Sequence, residues 1–167
     1  MITQRVIKDI GFIFSYMKPI SPQPLYRFKQ QVNDLLVRLN KHYPTIFPYT
    51  NYAQYCLIWP IDKPSNNPNY VEYAMINEPA NLERLKTVVK DLDTVICIGE
   101  KAHFAIQKML ELYPKDINII KTRNLVYPIS RHIKRNYNEE PSRFRTNMQV
   151  INIFKEIDQQ LKTLLKV

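Results

Sequence analysis

Residues 94–106 read Thr-Val-Ile-Cys-Ile-Gly-Glu-Lys-Ala-His-Phe-Ala-Ile, and they constrain the fold more than any other stretch. Thr94 to Ile98 form an apolar, β-branched run of the kind that builds a buried strand. Gly99 follows, one of two glycines in the chain, and the residues after it take helical spacing. A strand that turns through a single glycine into a helix aims the first backbone N–H groups of that helix, and its positive dipole end, at whatever lies beyond the sheet. Gly99 can therefore serve a phosphate, or it can simply let the helix pack close to the strand.

The same alternation recurs along the chain. Residues 10–16 are a short apolar run, and residues 25–40 place Leu25, Phe28, Val32, Leu35, Leu36 and Leu39 on one helical stripe. Residues 49–59 read as extended, and residues 80–90 as an amphipathic helix with Pro79 in its first turn. After strand 94–98 come a helix over 101–113 and a strand over 117–121. A last helix over about 146–165 carries Met148, Ile151, Phe154, Ile157, Leu161 and Leu164 on one face. Three prolines exclude helix and central strand from 17–24, Pro60, Pro64 and Pro68 break 60–70, and 122–142 is irregular and basic. No repeat or linker divides the chain. The expectation is one domain over 1–167, a three-layer α/β/α sandwich around a short, mainly parallel four-stranded sheet. Ligands of such sheets bind beyond the carboxyl ends of the strands, where loops 17–24, 60–70, 99–101 and 122–132 would meet.

Charge narrows the function classes. Lys and Arg total 24 against 15 Asp and Glu, a net +9, which favours a polyanionic partner and most simply nucleic acid. The N-terminal apolar stretch is interrupted by Asp9 and lacks a small-residue cleavage site, and no run reaches membrane-spanning length, so a cytoplasmic protein without a membrane partner is expected. Cys56 and Cys97 sit in strand-like runs and read as buried thiols. His42, His103 and His132 are scattered, and no HExxH, paired CxxC or Walker loop occurs. Neither a metal nor another cofactor is expected.

Segment 121–145 carries seven basic residues against Glu139 and Glu140, with Tyr127, His132 and Tyr137 interleaved. Cations among aromatics suit a surface that tracks a phosphate backbone and stacks bases. The alternative is a solvated basic loop. The candidate DNA contacts are Lys121, Arg123, Tyr127, Arg131, His132, Lys134 and Arg135.

Four stretches carry a resemblance to a known family. They are DIGFIFSYMKP with NDLLVRLN; YTNYAQYCLIWP; NLERLKTVVKDLDTVICIGEKAHFAI; and IIKTRNLVYPISRHIKRN. Over roughly residues 9–137 the chain resembles the uracil-DNA glycosylase superfamily, most closely its small bacterial and phage branch. The resemblance implies an α/β/α sandwich with a four-stranded parallel sheet, in enzymes that extrude a base and hydrolyse its glycosidic bond. It implies a base pocket at Asn51, Trp59 and Gly99, although Asn51 also suits a turn and Trp59 a core. The catalytic positions depart from the family. The first loop, Tyr16 to Pro24, has Lys18 where an acid or amide would handle water, and Asn124 stands where a histidine would stabilise the leaving base. No catalytic residue is therefore expected. Members of this superfamily also serve as polymerase processivity subunits. The resemblance thus implies a catalytically inactive DNA-binding accessory subunit, acting on single-stranded or weakly specific DNA beside a larger replication or repair enzyme of polymerase or primase type. The alternatives are a divergent active DNA N-glycosylase for uracil or mismatches, and a nucleotide-binding sensor.

Overall fold

The computed structural model describes residues 9–18, 22–47, 55–63, 71–123 and 141–164. The elements are β1 (Ile10–Ile13), α1 (Pro22–His42), β2 (Tyr55–Ile58), α2 (Tyr73–Ile76), α3 (Pro79–Val88), β3 (Thr94–Ile98), α4 (Glu100–Leu112), β4 (Asn118–Thr122) and α5 (Pro141–Leu164). The four strands form one sheet in the order β2-β1-β3-β4, and every pairing is parallel. The chain is an α/β sandwich, as its alternating pattern predicts.

Alternation of side chains across the strands builds two cores. Ile10 and Phe12 of β1, Ile96 and Ile98 of β3 and Ile120 of β4 face one side, where they bury against Phe28, Val32, Leu36 and Leu39 of α1 and Val150, Ile153, Ile157 and Leu161 of α5. Ile13, Ile58, Val95 and Cys97 face the other side, against Ile76 of α2, Leu82 and Leu85 of α3 and Ala105, Ile106 and Met109 of α4. A sheet covered on both faces explains why β3 is buried at all five positions.

Several sequence expectations need correction. Helix α1 begins at Pro22, so its first turn lies inside the stretch from which prolines were expected to exclude helix. Pro22 and Pro24 fall in the first turn, where an N–H has no intrahelical acceptor and its loss is harmless. Helix α5 likewise begins at Pro141, within the stretch expected to be irregular. The buried face of α5 is Val150, Ile153, Ile157 and Leu161, with Phe154 packed beside it, while Ile151 is only half-buried. This helix lies against both α1 and β4, which widens its apolar stripe. Finally, the one-turn helix α2 was not anticipated. Strand β1 stops at Ile13, and the extended reading of 49–59 narrows to Tyr55–Ile58 among the described residues.

A polar clamp fastens α1 to α5. The Tyr43 hydroxyl donates to Asp158 Oδ1, Lys162 Nζ pairs with Asp158 Oδ2 at 3.1 Å, and the His42 ring lies 4.8 Å from that of Phe154. Burial and the hydrogen bond push the Tyr43 phenol up to about 12, and that same hydrogen bond leads in holding Asp158 below its ordinary 3.8. A depressed carboxylate contributes stability above its unfolded value and loses it on acidification. A raised phenol contributes below its unfolded value and loses it on alkalisation. Tyr43→Phe should therefore destabilise the fold by about 1 kcal/mol near neutral pH. The gap should narrow below pH 3.8 and again from pH 10.0 upward. Urea unfolding of both proteins across that range checks this, and a gap independent of pH would refute it.

Candidate functional site

Strand order reverses direction between β1 and β3: the chain steps from β1 outward to β2, then crosses back to β3 and on to β4. Loops leaving β1 and β3 therefore part to opposite sides and open a crevice at the carboxyl ends of the strands. Its volume is about 690 Å³. Ser15 and Tyr16 leave β1, Gly99 to Lys101 turn from β3 into α4, and Lys121 to Arg123 end β4. Tyr73 of α2 stands on one wall, and Glu156, Gln159 and Gln160 of α5 form another.

Ser15 fixes the floor. It is buried, its hydroxyl donates to the carbonyl of Ile98 at 2.8 Å, and it accepts the amide of Ala102 at 3.0 Å. One side chain just beyond β1 thus caps the third residue of α4, a task usually done by the residue at the helix start. That residue is Gly99, with φ 98° and ψ 170°, a conformation that side chains rarely adopt. The amides of Glu100 and Lys101 have no hydrogen-bond acceptor among the described residues. These orphan donors and the helix dipole lie at the crevice.

Three cations and two carboxylates line the space. Lys101 Nζ donates to the carbonyl of Val71 and lies 5.7 Å from the centre of the Tyr73 ring. Tyr73 is 45% exposed and stands edge-on to Phe104 at 4.8 Å, so it offers a held aromatic face. Lys121 is exposed, and Arg123 pairs with Glu156 at 2.8 Å. Gln160 treats β4 as a neighbouring strand would: its oxygen accepts the Lys121 amide at 2.9 Å and its nitrogen donates to the Lys121 carbonyl. That side chain seals an open sheet edge.

Among the described residues, Cys97 and His103 have their titration shifted by burial. Burial pushes the Cys97 thiol up to about 12, which keeps it protonated and unreactive despite the nearby Lys121. Burial, helped by Lys121, lowers His103 below its ordinary 6.5, so its imidazole is neutral at pH 7. Among the described residues no cluster of His, Cys, Asp and Glu could hold a metal ion. No helix among them is long and apolar enough to cross a membrane. Both cysteines are free, Cys97 buried and Cys56 half-buried.

The structure gathers Gly99, Lys121 and Arg123 of the predicted residues at the crevice. It places Trp59 apart from that lining, in the core beside α1, stacked on Phe14 at 5.0 Å with Phe28 at 5.8 Å. Lys18 is exposed and outside the lining. Met17 is fully buried against α2, α3 and α4 and lies outside the lining. Asn51, Asn124, Tyr127, Arg131, His132, Lys134 and Arg135 lie outside the described residues, as do the side chains of Leu25, Met148 and Leu164. The sequence reading missed Ser15, Tyr73, Lys101 and Glu156. Ser15 was findable as the first polar residue after the apolar run of β1. Glu156 carried no signal, because an acid on the polar face of a helix looks solvated.

No protein-family model and no curated protein matches the sequence.

Gly99→Ala should lower stability by about 1–3 kcal/mol, because alanine must adopt a glycine conformation there. Ser15→Ala should lower it by about 0.5–2 kcal/mol through the lost cap. Denaturant midpoints read both, and an unchanged midpoint for either variant would remove that residue from the floor of the crevice.

Proposed function

We propose that this chain is a non-catalytic, DNA-binding accessory protein of the glycosylase-like α/β type. In this reading it holds a single or weakly specific strand across the crevice beside a larger replication or repair enzyme. The observation that carries the reading is the meeting of Lys101, Lys121 and Arg123 with Tyr73 at the switch in strand order, at the amino end of α4. Cations attract phosphates and release their counterions, and a held aromatic face accepts an unpaired base. The chain continues from Arg123 into its most basic segment, which carries Arg131, Lys134 and Arg135. The non-catalytic part rests on the departures at Lys18 and Asn124. The engaged hydroxyl of Ser15 and the protonated thiol of Cys97 add support. Tyr26 and Val37, exposed on one side of α1, offer apolar surface to a protein partner.

Fluorescence anisotropy with a labelled oligothymidine tests binding. The parent should bind with an affinity that falls steeply with salt. Lys121→Glu with Arg123→Glu should weaken binding at least about tenfold at low salt, with the unfolding midpoint nearly unchanged. Equal binding by parent and double variant would remove the crevice from the interface. Incubation with uracil-containing DNA should leave no abasic sites, and robust base release would replace this reading with that of a divergent glycosylase.

A further inference from the structure

Glu156 occupies the position of a ligand anion. One carboxylate oxygen accepts the main-chain N–H of Arg123 at 2.6 Å, and the other accepts Arg123 Nε–H at 2.8 Å. A backbone amide beside a guanidinium is the donor pair that proteins present to phosphate oxygens. The pair borders the crevice, with the Arg123 side chain 58% exposed and that of Glu156 28% exposed. Gln160, one turn further along α5, independently holds the backbone of Lys121, so the α5 wall does not depend on the ion pair alone.

We infer that Glu156 is an internal competitor for nucleic-acid phosphate. It neutralises Arg123 while the crevice is empty, and it yields the Arg123 amide and guanidinium to a phosphate oxygen when a strand enters. The inference rests on the reading of the crevice as a DNA-binding site. Exchange is feasible because an exposed ion pair contributes little and is screened by salt. A neutral ligand offers Arg123 no replacement charge, so the exchange admits anions selectively. A strand and a free nucleotide share this phosphate chemistry.

The experiment compares full-length parent, Glu156→Gln and Glu156→Ala by anisotropy with labelled oligothymidine, and by calorimetry with thymidine monophosphate. Glutamine keeps an acceptor for the Arg123 amide but removes the competing charge. Both variants should bind roughly three- to tenfold more tightly at low salt. With the strand, the gain should shrink as salt rises, because salt screens the competing ion pair in the parent. A gain with oligothymidine alone identifies a strand as the displacing anion; a gain with the monophosphate as well identifies the phosphate group itself. Glu111→Gln removes the same charge about 16 Å along α4 from the crevice and should change little. Adding Arg123→Gln to Glu156→Gln should abolish the gain.

Folded Glu156 variants that bind no better than a binding parent would overturn the inference and leave the DNA-binding reading standing. An equal gain from Glu111→Gln would reduce the effect to net charge and overturn it too. Unfolding of both Glu156 variants would make the residue a structural tie and likewise end the proposal. Should neither parent nor variants bind either probe, the reading of the crevice falls and takes this inference with it.

Discussion

The hydroxyl of Ser15 sits where three elements must agree. It leaves β1, bonds the last residue of β3 and caps the first turn of α4. Each bond alone is worth about 1 kcal/mol. Their joint effect is geometric: they set the distance between the two central strands' exits, and so fix where the first turn of α4 points. Gly99 can adopt its positive-φ turn without a side-chain cap of its own because the cap arrives from the residues that follow β1. The crevice therefore has a rigid floor made of backbone and one small polar side chain.

Around that floor the fold distributes its work unevenly. The α1–α5 layer is the more aromatic, with Phe12, Phe14, Phe28 and Phe47 buried. The α2–α4 layer packs with small and aliphatic groups such as Ala102, Ala105 and Ile106. Small residues on the sheet-facing side of α4 let that helix approach β3 closely, which brings its amino end to the sheet rim. Asn81 and Arg84 stitch the same layer together through the carbonyls of Trp59, Pro60 and Ile76. Polar groups here act as struts beneath the site rather than as its chemistry.

What could be read from the sequence follows this division. The run Thr94–Ile98 and the glycine after it were legible because a doubly buried strand leaves an unbroken apolar signature. The layer architecture followed from the alternation of such runs with amphipathic stretches. Helix starts at Pro22 and Pro141 were hidden because proline ends helices in their interior and begins them at their first turn, and composition alone does not tell the two apart. The crevice walls were harder still. Tyr73 sits on a single helical turn with no periodicity, and Glu156 and Gln160 gain their meaning from a strand far away in sequence. Trp59 was ambiguous between pocket and core until the ring of Phe14 was found against it.

The seal on β4 bears on how the chain is made. Gln160 reaches the backbone of Lys121 across 39 residues of sequence. During synthesis the strand leaves the ribosome ahead of the helix that closes its outer side. For that interval the growing sheet presents an unpaired rim, able to accept a strand from any neighbouring chain. Two charged side chains on the strand's exit, Lys121 and Arg123, then act as the interim guard, since a bare cationic rim resists pairing with its own kind. The same lysine and arginine that face the crevice in the finished molecule would keep nascent copies apart on the way to it.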